Sequence, residues 1–158
     1  MNKISVLGAG TFGISLARLL ANKGFEVTVY VHNDTKAQLL RETRRHERFK
    51  DVLLPETIAY TSDLKEAFKD KEMVVYAIPS TSIREIASLS KDYVEDGQYI
   101  VDVAKGMEKD SLFTLTEVID DVYKNDTLKY VVLSGPTHAE EVIKDMPTAI
   151  VAASKDLE

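Results

Sequence analysis

Two stretches of this 158-residue sequence carry residues whose types and spacing suit chemistry. The first, VLGAGTFG, sets Gly8, Gly10 and Gly13 in the spacing G-x-G-x-x-G. A pyrophosphate comes close to a backbone only where no Cβ intrudes, so Gly8 and Gly10 serve the turn and the approach. Gly13 lets a following helix pack tightly on the preceding strand. The helix N-terminus would add free N–H groups and a partial positive charge. Three glycines alone are a weak signal. Here they lie between a strand-like run, Lys3 to Leu7, and a helical pattern, Thr11 to Lys23, which is the context the motif requires. The second stretch, YIVDVAKGMEKD, brings Lys105 and Gly106 into a loop at the end of an apolar run. A cation there either points into water or holds something negative.

The elements that must position these residues alternate along the chain. Strands are predicted over Lys3–Leu7, Phe25–Val31, Ile58–Thr61, Met73–Ile78, Tyr99–Val103, Tyr130–Leu133 and Ala149–Ala153. Helices are predicted after Gly10, from an N-cap at Asp34 through Lys50, over 64–70, around 82–90, near 111–123 and from Ala139. Met73–Ile78 is apolar almost throughout, as strands covered on both faces are. The pattern predicts a doubly wound, mostly parallel α/β sheet of Rossmann type, a single dinucleotide-binding domain over residues 1–158. The sequence ends at KDLE, soon after a buried-looking strand, as though cut from something longer.

In such a sheet, ligands bind outside the carboxyl ends of the strands. Those ends carry Gly8 to Gly13, then His32-Asn33, Pro79-Ser80-Thr81, Lys105-Gly106, and Ser134-Gly135-Pro136-Thr137-His138. Small, polar and cationic residues on one rim suit an anionic cofactor and an anionic substrate. The second strand ends in Tyr30-Val31-His32-Asn33, with no carboxylate before Asp34 to bind a ribose 2′-OH. His32 is able to donate to a 2′-phosphate, with Lys36 and Arg41 downstream, so the expectation leans to NADP(H) or use of both NADP(H) and NAD(H). The plain alternative for His32 is a strand end in solvent.

Composition closes several doors. A net charge of -6 disfavours nonspecific binding to nucleic acid or an anionic membrane. No cysteine is present, which excludes disulfides, thiolate metal sites and cysteine nucleophiles. His46 and His138 have no partners at ligand spacing, so no metal site is expected; His138 reads as a loop or helix-start residue. With no signal peptide pattern and no membrane-spanning run, the expected location is the cytoplasm. The basic stretch Arg41, Arg44, Arg45, Arg48, Lys50 is interleaved with acids and reads as a solvated helix face. Asp102, inside an apolar strand, is expected to bond loop N–H groups and hold the Lys105 loop.

Four blocks in order, GAGTFG, AIPSTSIREI, VAKGME and LSGPTHAEEVIKDMPTAIVAAS, resemble the N-terminal half of the NAD(P)-dependent sn-glycerol-3-phosphate dehydrogenases of bacteria. The resemblance spans essentially the whole chain, and the SGP block is its most specific part. It implies reduction of dihydroxyacetone phosphate to sn-glycerol 3-phosphate, a precursor of phospholipids. It also implies that Thr11, Phe12, His32 and Ala139 touch the cofactor, that Gly135 and Thr137 line the substrate site, and that Lys105 contacts both. The family's proton-transferring lysine is expected beyond Glu158, in a C-terminal helical domain outside this sequence. No catalytic residue is therefore expected within these 158 residues, and this stretch alone is expected to be inactive. A homodimer is possible for the full-length enzyme. Three positions depart from the family pattern: Phe12 replaces a frequent Trp, His32 a frequent Arg, and HERFKDVLLPETI is shorter and more charged than usual. Two other functions fit the residues: a module that senses dinucleotides without turnover, and a dehydrogenase of a β-hydroxy acid or sugar acid.

Overall fold

The computed structural model describes residues 2–155; Met1 and residues 156–158, the ends of the expected domain, lie outside the described residues. Glu158, beyond which the proton-transferring lysine is expected, is therefore outside them too, and the structure leaves that expectation untested. Seven strands form one sheet: β1 (Lys3–Leu7), β2 (Glu26–Tyr30), β3 (Ala59–Thr61), β4 (Met73–Tyr76), β5 (Tyr99–Asp102), β6 (Lys129–Ser134) and β7 (Val151–Ser154). Their order is β3-β2-β1-β4-β5-β6-β7. Pairing is parallel from β3 to β6, and β7 runs antiparallel to β6. The helices are α1 (Thr11–Asn22), α2 (Asp34–Thr43), α3 (Leu64–Phe68), α4 (Ile83–Ser90), α5 (Leu115–Tyr123) and α6 (Ala139–Val142).

Alternation along the strands explains the two layers. Ile4, Val6, Val27, Val29, Val75 and Val101 face one side, where Ile14 and Ala17 of α1 and Ala37 and Leu40 of α2 cover them. Val74, Tyr76 and Ile100 face the other, under α3, α4 and α5. The central strands β1, β2, β4 and β5 are largely apolar on both faces because both faces are buried, as parallel sheets require, whereas β6 is half-buried and β7, expected to be buried, is mostly exposed. The strand order reverses between β1 and β4, where successive crossovers go opposite ways and open a crevice at the strands' carboxyl ends.

Several boundaries differ from the sequence expectation. α2 stops at Thr43, not Lys50, and Arg44 turns left-handed at φ 52° with its N–H on the Leu40 carbonyl. Beyond Leu40 no apolar stripe continues, and the Thr43 hydroxyl bonds back to Leu39 O, so nothing favours another helical turn. The basic stretch is therefore not one helix face. The α2 N-cap is Asn33, whose side chain accepts the Lys36 N–H, one residue before the expected Asp34. α5 begins at Leu115 because Thr114 and Glu117 form a capping box, leaving Ser111 to Phe113 outside the helix. β7 reverses because α6 has only four residues, about 6 Å of rise, too short to carry the chain back along the sheet. The chain re-enters beside Ser134, which pairs with Val151.

A chain of buried hydroxyls locks α4 and α5 onto β4. Ser90 Oγ donates to the Ile86 carbonyl at 2.7 Å, so it accepts from Tyr123 OH, also at 2.7 Å. Tyr123 OH in turn accepts from the fully buried Tyr76 OH. Tyr123→Phe leaves the Tyr76 hydroxyl without its acceptor and is expected to cost about 1–3 kcal/mol in urea unfolding. The double variant Tyr76→Phe/Tyr123→Phe removes the orphan and should be less destabilised than Tyr123→Phe alone; a simple sum of two losses would contradict this network.

Candidate functional site

The three glycines have different reasons to be glycine. Gly8 sits at φ 112°, and a Cβ there would lie 2.5 Å from Ala77 O. A Cβ on Gly13 would lie 2.2 Å from Gly8 O. Both are demanded by the protein's own packing, which brings α1 against the loop and β4 against both. A Cβ on Gly10 would meet nothing within 4 Å. Nothing within the chain demands glycine there; a ligand approaching that backbone would. Gly10 caps α1 without any side-chain partner, so the first N–H groups of the helix stay open to that ligand.

Two cavities flank this helix N-terminus, and Ala77 and Ile78 at the end of β4 line both. One, of about 350 Å³, is bounded by Thr11, Phe12, Lys105, Gly135, Thr137 and Ala139, with His138 and Glu140 at its edge. The other, of about 450 Å³, is bounded by Gly8, Gly10, His32, Asn33, Lys36 and the apolar Ile86 and Leu89. The structure thus brings the sequence-predicted site residues, all but Gly13, to one rim and divides them between two chambers; Gly13 packs under the loop instead. A long ligand with two ring systems and an anionic centre matches that division: a ring in each chamber, the anion at the helix end.

Lys105 is exposed at the first chamber and makes no ion pair among the described residues. Its loop is fixed at both ends. Before it, Asp102 Oδ1 accepts the Ala104 N–H at 2.9 Å; directly after it, Gly106 takes φ 129° beside Ser80. After it, Arg84 of α4 grips both oxygens of Glu108 at 2.7 and 2.8 Å, while Ser111 Oγ donates to the same carboxylate. Arg84 and then Ser111 hold the Glu108 carboxyl down to about 2. Arg84 reaches Asp121 of α5 as well, so the loop is tied to two helices. The Asp102 carboxyl, only 3% exposed, is pushed up to about 6 by burial, with the Ala104 N–H opposing.

The block after β6 closes the first chamber. Gly135 approaches Ala149, whose carbonyl would lie 2.8 Å from a Cβ. Thr137 Oγ1 donates to that same carbonyl at 2.7 Å, so its hydroxyl proton is already used within the chain. Ala139 is held against α1 by Ser15 Oγ, which donates to Ala139 O and Thr11 O, and Arg18 grips both oxygens of Asp145.

Some expected residues are not brought to the rim. Arg41 donates Nε and Nη2 to Tyr60 O, facing β3 rather than the second chamber. Asp34, the first carboxylate after β2, accepts from Ser62 Oγ instead of meeting the chamber. His138 occupies the N-cap of α6, as a helix-start residue would, and also lines the first chamber. His46 is buried behind the glycine loop, against Ala9, 37 residues earlier, which no local spacing reveals. Among the described residues, no group of three His, Asp or Glu could hold a metal ion, and no helix is long and apolar enough to cross a membrane.

A raised carboxyl pKa means that Asp102 favours folding when protonated. Its contribution is fullest below the unfolded value near 3.8 and is lost as pH rises through about 6. Asp102→Asn keeps an acceptor for Ala104 without the buried charge. It is expected to raise the melting temperature by a few degrees at pH 7.5, with the gain vanishing near pH 4; an equal effect at both pH values would contradict the burial argument.

Known proteins share this sequence pattern and fold. A family model described as the N-terminus of NAD-dependent glycerol-3-phosphate dehydrogenase matches residues 3–158. The chain is 48% identical over 160 residues to glycerol-3-phosphate dehydrogenase (NAD(P)+) 2 of Lactobacillus delbrueckii subsp. bulgaricus, covering 99% of this chain and 48% of that protein. The corresponding enzyme of Fusobacterium nucleatum subsp. nucleatum is 42% identical over 159 residues, covering 100% of this chain and 48% of its own length. The crystal structure of glycerol-3-phosphate dehydrogenase from Coxiella burnetii matches with a TM-score of 0.90 at 28% identity, over 98% of this chain and 47% of that one. The chain spans about half the length of the curated relatives it matches. It belongs to the NAD-dependent glycerol-3-phosphate dehydrogenase family, as the N-terminal, NAD(P)-binding domain.

Proposed function

We propose that these residues form the cofactor half of a cytoplasmic enzyme that reduces dihydroxyacetone phosphate to sn-glycerol 3-phosphate. The observation that carries this reading is the shared chamber: an exposed ammonium, Lys105, stands on the same 350 Å³ cavity as the helix N-terminus and the Gly135–Thr137 turn. NAD(P)H, when bound, supplies the hydride. The open space at Gly10 and the uncapped N–H groups of Thr11 and Phe12 suit its pyrophosphate. His32 and Lys36 border the chamber proposed for the adenosine, where Glu85 is also present and Asp34 is engaged elsewhere. That mixture suits either ribose 2′-OH or 2′-phosphate, and so either NADH or NADPH.

As hydride reaches a ketone carbon, negative charge gathers on its oxygen, and a fixed cation nearby lowers the barrier. Lys105 serves that charge or the substrate phosphate, while Gly135 and Thr137 shape the wall beside it and Ala139 lies toward the cofactor. A proton donor is proposed to come from a C-terminal helical domain beyond Glu158, which also completes the grip on the phosphate. Lys105→Ala in the complete enzyme is expected to lower turnover of dihydroxyacetone phosphate by on the order of 100-fold, read by NADH oxidation at 340 nm. Unchanged kinetics would return Lys105 to the surface charges, and turnover of hydroxy acids without the triose phosphate would overturn the substrate assignment.

A further inference from the structure

We infer that His46 is a positioning residue for the dinucleotide: from behind the glycine loop, its ring holds the Ala9–Gly10 peptide with the Gly10 N–H turned toward the ligand. The inference rests on the cofactor reading given above and concerns a residue outside the rim.

His46 is 2% exposed, and both ring nitrogens are occupied. Nε2 lies 3.2 Å from Ala9 O, and a carbonyl oxygen only accepts, so Nε2 carries the proton. Nδ1 lies 3.2 Å from the Arg48 N–H, which only donates, so Nδ1 carries none. The ring is therefore neutral, in its Nε2–H form. Phe49 packs beside it at 5.5 Å between ring centroids. The segment that presents it is itself tied down, since Phe49 N–H bonds His46 O and Leu54 N–H bonds Arg44 O.

The consequence lies in peptide geometry. In a trans peptide, the C=O of one residue and the N–H of the next point in opposite directions, and no cis bond occurs among the described residues. Fixing the Ala9 carbonyl on His46 thus fixes the Gly10 N–H on the opposite side, away from His46, at a residue that lines the second chamber. Two other polar groups of the loop are engaged: Gly8 N–H goes to Tyr30 O, and Gly10 O accepts from Ile14 N–H. Among the described residues, no backbone bond takes the Gly10 N–H. His46 therefore preorganises a donor that has no acceptor among the described residues, where a pyrophosphate oxygen would sit.

Protonation unseats the ring from its other side, because a proton on Nδ1 would face the Arg48 N–H while Nε2 still donates to Ala9 O. Burial lowers the pKa of the ring first, followed by Lys36 of α2; the Ala9 carbonyl and Glu47 oppose, and Arg48 adds a further lowering. The brace is thus intact at neutral pH. It is lost only as pH falls through the lowered pKa of the folded ring, below the ordinary histidine value near 6.5.

The test compares His46→Phe, which keeps a ring and deletes the donor, with His46→Gln, whose amide can still donate to Ala9 O but does not titrate. NADH is the probe, since it has no 2′-phosphate to titrate near pH 6. At pH 7.5, His46→Phe is expected to raise the NADH Kd about tenfold and His46→Gln to stay within about threefold of the wild type. On acidification below pH 6.5, wild-type affinity should show a decline that His46→Gln lacks. In the free chain, nitrogen-15 spectra should show His46 as the Nε2–H tautomer, and the Gly10 amide signal should move in His46→Phe. An unchanged Kd in a folded His46→Phe, equal losses in both variants, or a proton on Nδ1 at neutral pH would overturn the inference. Should His46→Phe fail to fold, the His46→Gln profile and the ring spectrum decide. A wild-type chain that binds no NADH would sink the cofactor reading and this inference with it, whereas a wrong tautomer sinks only the inference.

Discussion

Gly13 has no room for a side chain, because the carbonyl of Gly8 lies where a methyl group would go. That contact seats the first turn of α1 directly over the end of β1, at the point where the strand order reverses. Everything at the rim depends on it. With α1 seated this close, its N-terminus opens between the two chambers, and Ala77 and Ile78 form the ridge that divides them. A larger residue at position 13 would push the helix outward, and the open amides would no longer stand at the crevice. The sheet supplies the rest of the geometry, since parallel strands place all their carboxyl ends, and hence all their loops, on one edge.

The rim residues themselves are few, and each is held by others that do not reach a ligand. Lys105 makes no ion pair among the described residues, yet Asp102 and the Arg84–Glu108 pair fix its loop on either side. Ala139 meets α1 through Ser15. The Ala9 peptide is braced by His46. A long flexible cation is useful in a reaction only if its backbone does not wander, and rigid support for a binding site costs the chain buried polar groups such as Asp102. This is why ionisable residues appear in places where hydrophobicity alone predicts Val or Leu.

Much of this was legible in the sequence because the signals were local. The G-x-G-x-x-G spacing falls between a strand and a helix within a few residues, and the apolar run before Lys105 names both the strand and its open end. The Thr114–Glu117 box was also local, although the helical pattern upstream of it concealed the true start of α5. What escaped depends on distant partners. His46 bonds to a carbonyl 37 residues away, Arg41 to one 19 residues away, and Asp34 to a serine 28 residues away. The early end of α2 escaped for another reason: charged residues fit a solvated helix and a polar loop equally well, so periodicity could not decide. The reversal of β7 follows from the shortness of α6, which no strand propensity records.

The central claim is that one dinucleotide lies across both chambers with its pyrophosphate at the start of α1. A crystal structure of the chain with NADH bound tests it most directly. The account places phosphate oxygens within hydrogen-bond distance of the Gly10, Thr11 or Phe12 N–H groups, the nicotinamide in the chamber that Lys105 borders, and the adenosine beside His32. A nucleotide ordered elsewhere on the surface, with those amides facing only solvent, would contradict it.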